Sequence, residues 1–197
     1  MIKYNVKNGL QKCYVATIGV DGKYKTPVEL GDLIEISITP SENSATLYGG
    51  NGVIMTDSSL GEIPVTISIP ALSEELQCLL FGHKKAEGGG IIKSSKDVKP
   101  YVALMFEQTS KDSVSGAEVI DFVTLYKGQF IMAEQKGKTK EGSIEFQTVS
   151  LSAQFMPIEN GVWQSVVSSD SEGFDATDHT TKWTKIVELP KEKVVTP

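Results

Sequence analysis

Two stretches of strict apolar–polar alternation stand on either side of a long connection. In Leu33-Ile34-Glu35-Ile36-Ser37-Ile38-Thr39, residues Ile34, Ile36 and Ile38 share one face; in Ile63-Pro64-Val65-Thr66-Ile67-Ser68-Ile69, the apolar set is Ile63, Val65, Ile67 and Ile69. A period of two predicts half-buried β-strands. The connection, about 40–62, exceeds the ~12–15 residues beyond which a loop is usually functional or disordered. It carries Leu47, Tyr48, Gly49, Gly50, Asn51, Gly52, Val53, Ile54 and Met55, apolar residues around a glycine-rich turn, and so reads as a hairpin. Two placements follow from this pattern. The hairpin either projects and needs a partner, most economically another copy of the chain, or folds back as two ordinary strands of the core sheet.

Elsewhere the same period recurs. Cys13–Ile18 reads as a strand ended by Asp21-Gly22, and Tyr101–Phe106 is a near-continuous apolar strand followed by a polar turn over 109–116. Val119–Tyr126 is a strand, Lys127-Gly128 a break, and Gln129–Met132 the completion of a meander. Along 143–155, Ile144 and Phe146 set one phase and Val149, Leu151, Ala153 and Phe155 the other, which predicts a bulge near Gln147-Thr148 or a strand shared by two sheets. Val162–Val167 follows the turn Asn160-Gly161. The period changes once in the body of the chain. Ser73 as N-cap, Glu74 and Glu75 in a first turn, and Leu76, Leu79 and Leu80 on one face predict a helix over 73–81, stopped by Gly82. A short helix is expected around 181–187. The pattern specifies a mainly-β fold, a sandwich or barrel with one packed helix. It fits a single domain over 1–197, with an N-terminal arm of about 1–10 and a C-terminal arm of about 174–197.

Charge refines this picture. All 19 basic residues are lysine. The absence of arginine, the usual bidentate grip on phosphate, argues against a dedicated nucleotide or nucleic-acid site. Lysine is missing from Thr26 to His83, against eight acids, and from Glu141 to Thr181, against seven. Such windows assemble one surface of single sign or form a solvated acidic face. No apolar run approaches the ~18 residues of a membrane span, and the first residues hold no secretory h-region. Cys13 and Cys78 fit no metal or redox spacing and read as buried free thiols of a reducing compartment.

Catalytic and cofactor signals are weak. His83, just past the helix stop, is placed to meet free carbonyls. Asp178-His179 lacks a nucleophile-elbow sequence. Asp170–Asp178 is oxygen-rich, but its glycine is misplaced for a calcium loop and no glutamate closes it. Gly88-Gly89-Gly90 is followed by Ile-Ile, so it is not a phosphate loop. The expectation is a protein without enzymatic activity, cofactor or metal.

Six motifs in order carry a resemblance. They are Leu47-Tyr48-Gly49-Gly50-Asn51-Gly52, Leu80-Phe81-Gly82-His83, Pro100–Phe106, Leu125–Phe130, Gly142–Thr148 and Asn160-Gly161-Val162-Trp163. Over roughly Lys7 to Trp183 the chain resembles the major tail proteins of long-tailed, non-contractile phages of Gram-positive bacteria. The resemblance implies a tail-tube fold, a β-sandwich with one flanking helix. It implies hexameric rings stacked into a tube that carries DNA, located in the virion tail and assembled in the host cytoplasm. The partners implied are further copies of the chain, a tape measure protein, a tail terminator and distal tail or baseplate proteins. It assigns ring stacking to the 45–56 hairpin and the terminal arms, and a bracing role to the helix.

A tube that passes DNA must not bind it. Carboxylates on its wall repel phosphates within a Debye length of ~8 Å at physiological salt. Glu35, Ser37, Thr66, Ser68 and Glu145, on polar strand faces, are the candidates for that inner wall. The rival readings are a contractile-tail or secretion-system tube protein of the same fold and a carbohydrate-binding β-sandwich. The latter needs aromatics in a groove, and Trp163 and Trp183 are few and separated.

Overall fold

A computed structural model of the chain describes residues 4–131, 148–176 and 182–190. In chain order the elements are β1 (Asn5–Thr17), β2 (Val28–Asp32), β3 (Glu35–Ile38), β4 (Glu42–Gly49), β5 (Gly52–Leu60), β6 (Ile63–Ile69), α1 (Glu74–Phe81), β7 (Lys84–Lys85), β8 (Ile91–Ile92), β9 (Val102–Asp112), β10 (Glu118–Phe130), β11 (Val149–Met156) and β12 (Gln164–Ser168). Eight strands form one antiparallel sheet in the order β2-β1-β9-β10-β11-β6-β3, with β12 also on β10; β4-β5 and β7-β8 are separate two-stranded ribbons.

The sheet turns over at β10. Asp121–Leu125 pair with β12, whereas Lys127–Phe130 pair with β11 along the same edge of the strand. The opposite edge pairs with β9, with a shift of register between Leu125 and Gly128. Val15, Leu104 and Val123 from one half thereby meet Val65, Ile67, Leu151 and Phe155 from the other in a single core. The architecture is mainly β and antiparallel, in two packed layers as in a sandwich.

Two differences from the sequence reading centre on this strand. The expected break at Lys127-Gly128 is no break, since β10 runs through it. Glycine stands there because a Cβ would lie 2.6 Å from the ring of Phe155, on the strand that joins at the bend. The shared strand is therefore β10, whereas β11 has one phase, with Leu151, Ala153 and Phe155 inward; the proposed bulge at Gln147-Thr148 falls at the border of the undescribed segment 132–147. The turn expected over 109–116 is also shorter. Strand β9 continues to Asp112, whose carboxylate accepts from the N–H groups of Val114 and Ser115 at 2.7 and 3.3 Å.

β9 reads as continuously apolar because both of its faces are covered. Val102, Leu104 and Phe106 face the main core, and Ala103 and Met105 face a second cluster with Ala16, Tyr126 and Val187. Trp183 packs on this second cluster, edge-on to Tyr14 and Phe122, and donates from Nε1 to Thr124 Oγ1 at 3.2 Å. Both expected arms are thus partly in the body. Residues 5–10 lie in β1, most of them paired with β9, and the 182–190 stretch covers the outer face of the sheet, with Tyr126 donating to the Glu188 carbonyl. Within the expected 181–187 helix, Lys182 O accepts from both Lys185 N and Ile186 N, one helical turn among the described residues.

Helix α1 forms as its caps require. Ser73 Oγ accepts from Leu76 N at 3.2 Å, and Gly82, at φ +72°, donates to Cys78 O at 3.0 Å. Leu80 and Phe81 are buried in the core, with Leu76 and Leu79 half-buried against it. Cys13 is buried and its thiol is pushed up to about 12 by that burial, while Cys78 is only half-buried.

His83 differs from expectation. Its imidazole pairs with Asp97 rather than with helix carbonyls, Nδ1 to Oδ2 at 2.7 Å, with side chains 1% and 7% exposed. Asp97 also accepts from Ser94 N at 2.8 Å. The pair ties the 84–99 loop across the end of the helix, where Val98 O crowds the Cα of Gly82.

Two outcomes follow. Leu80→Ala should lower stability by about 3 kcal/mol in urea unfolding, more than Leu76→Ala, because it leaves a core cavity. The Ser94 N–H and then His83 hold the Asp97 carboxyl below its ordinary range. Its stabilisation is thus present above the unfolded aspartate value of ~3.9 and lost as pH falls through the lower folded value. Asp97→Asn should therefore be less stable than the native chain at pH 6, and the difference should shrink on acidification below about pH 4.

Candidate assembly site

The 40–62 connection is a projecting ribbon. After Ile38 and Val65, the last register pair of β3 and β6, backbone hydrogen bonds continue through Thr39 N to Pro64 O, Ser41 N to Glu62 O and Gly61 N to Ser41 O. Beyond this root, β4 and β5 pair only with each other. Gly50 and Asn51 have φ of +58° and +66°, the two left-handed residues of a tight I′-type hairpin turn. Eight residues at ~3.3 Å each carry the ribbon about 26 Å along β4.

Every residue from Glu42 to Leu60 is exposed. The placement that the alternation left open is thus the projecting one. Leu47, Tyr48, Val53, Ile54 and Met55 are 59–71% exposed at the distal end. Thr46 pairs with Thr56 and Leu47 with Met55; a bulge at Ile54 then pairs Tyr48 with Val53, and Gly49 with Gly52. Ile54 reaches over Gly49, where any side chain would collide with it.

The polar-face candidates also come together. Glu35 is opposite Ser68 and Ser37 opposite Thr66 across β3 and β6. The next strand adds Ser150 opposite Ser68 and Ser152 opposite Thr66. These two serines were missed, although the alternation of Val149, Leu151 and Ala153 already assigned them to the polar face. Glu35, Ser37, Thr66, Ser150 and Ser152 are exposed and Ser68 is half-buried. The face holds several hydroxyls, one carboxylate at Glu35, and no lysine on these three strands. Glu145 lies outside the described residues.

Among the described residues no three His, Cys, Asp or Glu side chains converge as a metal site. The oxygen-rich stretch 170–178 is described only to Ala176, and Asp178-His179 not at all. No helix among the described residues is long and apolar enough to cross a membrane. No protein-family model matches the chain, and comparison with curated proteins gives no significant match.

Because the ribbon contributes nothing to the core, replacing Thr46–Met55 with a short Gly-Ser turn should leave the urea unfolding midpoint within experimental error. A collapse of stability would mean that the ribbon packs on the body.

Proposed function

We propose that this chain is a tail tube protein. Copies assemble as rings, and the rings stack into a tube through which phage DNA passes to the host. The observation that carries this reading is the ribbon. A fully exposed 26 Å hairpin with five large apolar side chains at its end is a liability in an isolated monomer and an asset in an assembly. The six motifs in order give the reading its specific form, with the hairpin as the element that joins ring to ring. The face formed by Glu35, Ser37, Thr66, Ser68, Ser150 and Ser152 is the proposed wall of the bore, polar and free of cations.

The test is imaging. Purified protein, concentrated with a tail initiator present, should form rings and tubes by negative stain, and the 46–55 deletion should abolish tubes while remaining folded. Protein that stays monomeric under these conditions overturns the reading.

The wall assignment has its own test. Glu35→Lys places a cation in every subunit on the bore, so tails should assemble normally yet deliver DNA more slowly. Added salt should relieve the defect by screening the exposed charges. Ejection at the native rate at all salt concentrations would remove Glu35 from the wall.

A further inference from the structure

The distal hairpin is apolar on both faces, and one flat partner surface can cover only one of them. Cross-strand partners share a face. Tyr48 and Val53 therefore stand on one side, continuing the row of Thr46 and Thr56. Leu47 and Met55 stand on the other, joined by Ile54 where it overlies Gly49. All five are more than half exposed. A ribbon that lay against a single surface would leave Tyr48 and Val53, or Leu47, Met55 and Ile54, in water. Nearer the root the pattern is different. Ser44 opposes Ser58 and Thr46 opposes Thr56, so this half of the ribbon suits solvent on the first face. The two-sided apolar character is confined to the last turn and the residues beside it.

The charges point to the same chain as the occupant. The ribbon and its root carry only acids, Glu42, Asp57 and Glu62, and none has an ion-pair partner among the described residues. The 84–99 loop has the opposite balance, five lysines against Glu87 and Asp97, and Asp97 is engaged by His83. The loop carries Lys84, Lys85, Lys93, Lys96 and Lys99, and of these only Lys85 is paired, with Glu75 at 2.9 Å. The chain therefore holds an acidic ribbon without ion pairs and a net-basic loop with four unpaired lysines, a complementarity that favours contact between copies.

We infer that the distal hairpin of one copy is gripped in a seam between two further copies, one touching Tyr48 and Val53 and the other Leu47, Ile54 and Met55. The inference rests on the tube reading, since a ring of copies presents a two-walled seam at every subunit boundary. Each hairpin then joins three chains, and stacking also locks neighbours within the receiving ring.

The experiment counts chains. A cysteine-linked photo-crosslinker is placed at Tyr48→Cys, at Met55→Cys, or at both, in the full chain with Cys13→Ser and Cys78→Ser. Labelled protein is mixed with a twenty-fold excess of native protein, assembled, pelleted as tubes and irradiated. Each single label should give two-chain products, and the double label should add a three-chain product absent from both singles. If label at 48 and 55 keeps the chain out of tubes, Thr46→Cys with Ala45→Cys samples the same two faces nearer the root. A double label that yields only two-chain products, or a face that crosslinks to no other copy, overturns the inference while the tubes themselves stand. Failure of native protein to form tubes overturns the underlying reading instead.

Discussion

Everything in the body depends on β10 being hydrogen-bonded on both edges while belonging to two layers. Its first half is held between β9 and β12, and its last four residues are held by β11. The two layers are therefore one backbone, and their relative register is set covalently at the bend rather than by packing alone. The core then closes as a consequence. Leu125 and Phe130 point into the main cluster on either side of the bend, and Tyr126 points into the second cluster on the outer face. The outer cluster needs the 182–190 stretch, because Tyr126 donates to Glu188 O, and Thr124 accepts from Trp183.

What the sequence revealed follows from how each signal arises. Strand β6 was legible to the residue, since one face is buried and the other polar, and α1 was legible from Ser73, its leucine spacing and Gly82. The bend in β10 was not. Lys127-Gly128 resembles a turn, and nothing local says that its glycine answers to a phenylalanine 27 residues later. His83 was misread for the same reason, as its partner Asp97 lies in a loop with no periodicity. Periodicity also left the hairpin unplaced. Alternation shows which residues share a face, but it does not show whether another layer lies against that face. The serines of β11 alternate with Val149, Leu151 and Ala153, but only the pairing of β11 with β6 sets Ser150 beside Ser68 and Ser152 beside Thr66.

The separation between body and ribbon has an energetic logic. A two-stranded ribbon alone is marginal in water. Here it is an extension of the β3–β6 ladder, fixed by the hydrogen bonds of Thr39, Ser41 and Gly61 at its root and by the left-handed pair Gly50-Asn51 at its turn. On the proposed reading, this backbone is ordered before a further copy arrives, so association would not have to supply that ordering free energy. The apolar end thus keeps its full area exposed, and none of that area belongs to the core of the body.

The polar face obeys a different constraint. On the proposed reading, a bore lined densely with carboxylates would repel DNA but would also repel itself, with one charged ring stacked on the next. Screened over ~8 Å, such rings lie close enough within a tube to destabilise it. Hydroxyls avoid this conflict. Ser37, Thr66, Ser68, Ser150 and Ser152 can each donate and accept, and so hold a layer of water without collecting counterions. On strands β3, β6 and β11 a single carboxylate on this face, at Glu35, then sets the sign of the wall while leaving neighbouring copies free to approach. The absence of lysine from these strands matters more than the number of acids, because a single cation repeated in every copy would convert a wetted surface into a phosphate-binding one.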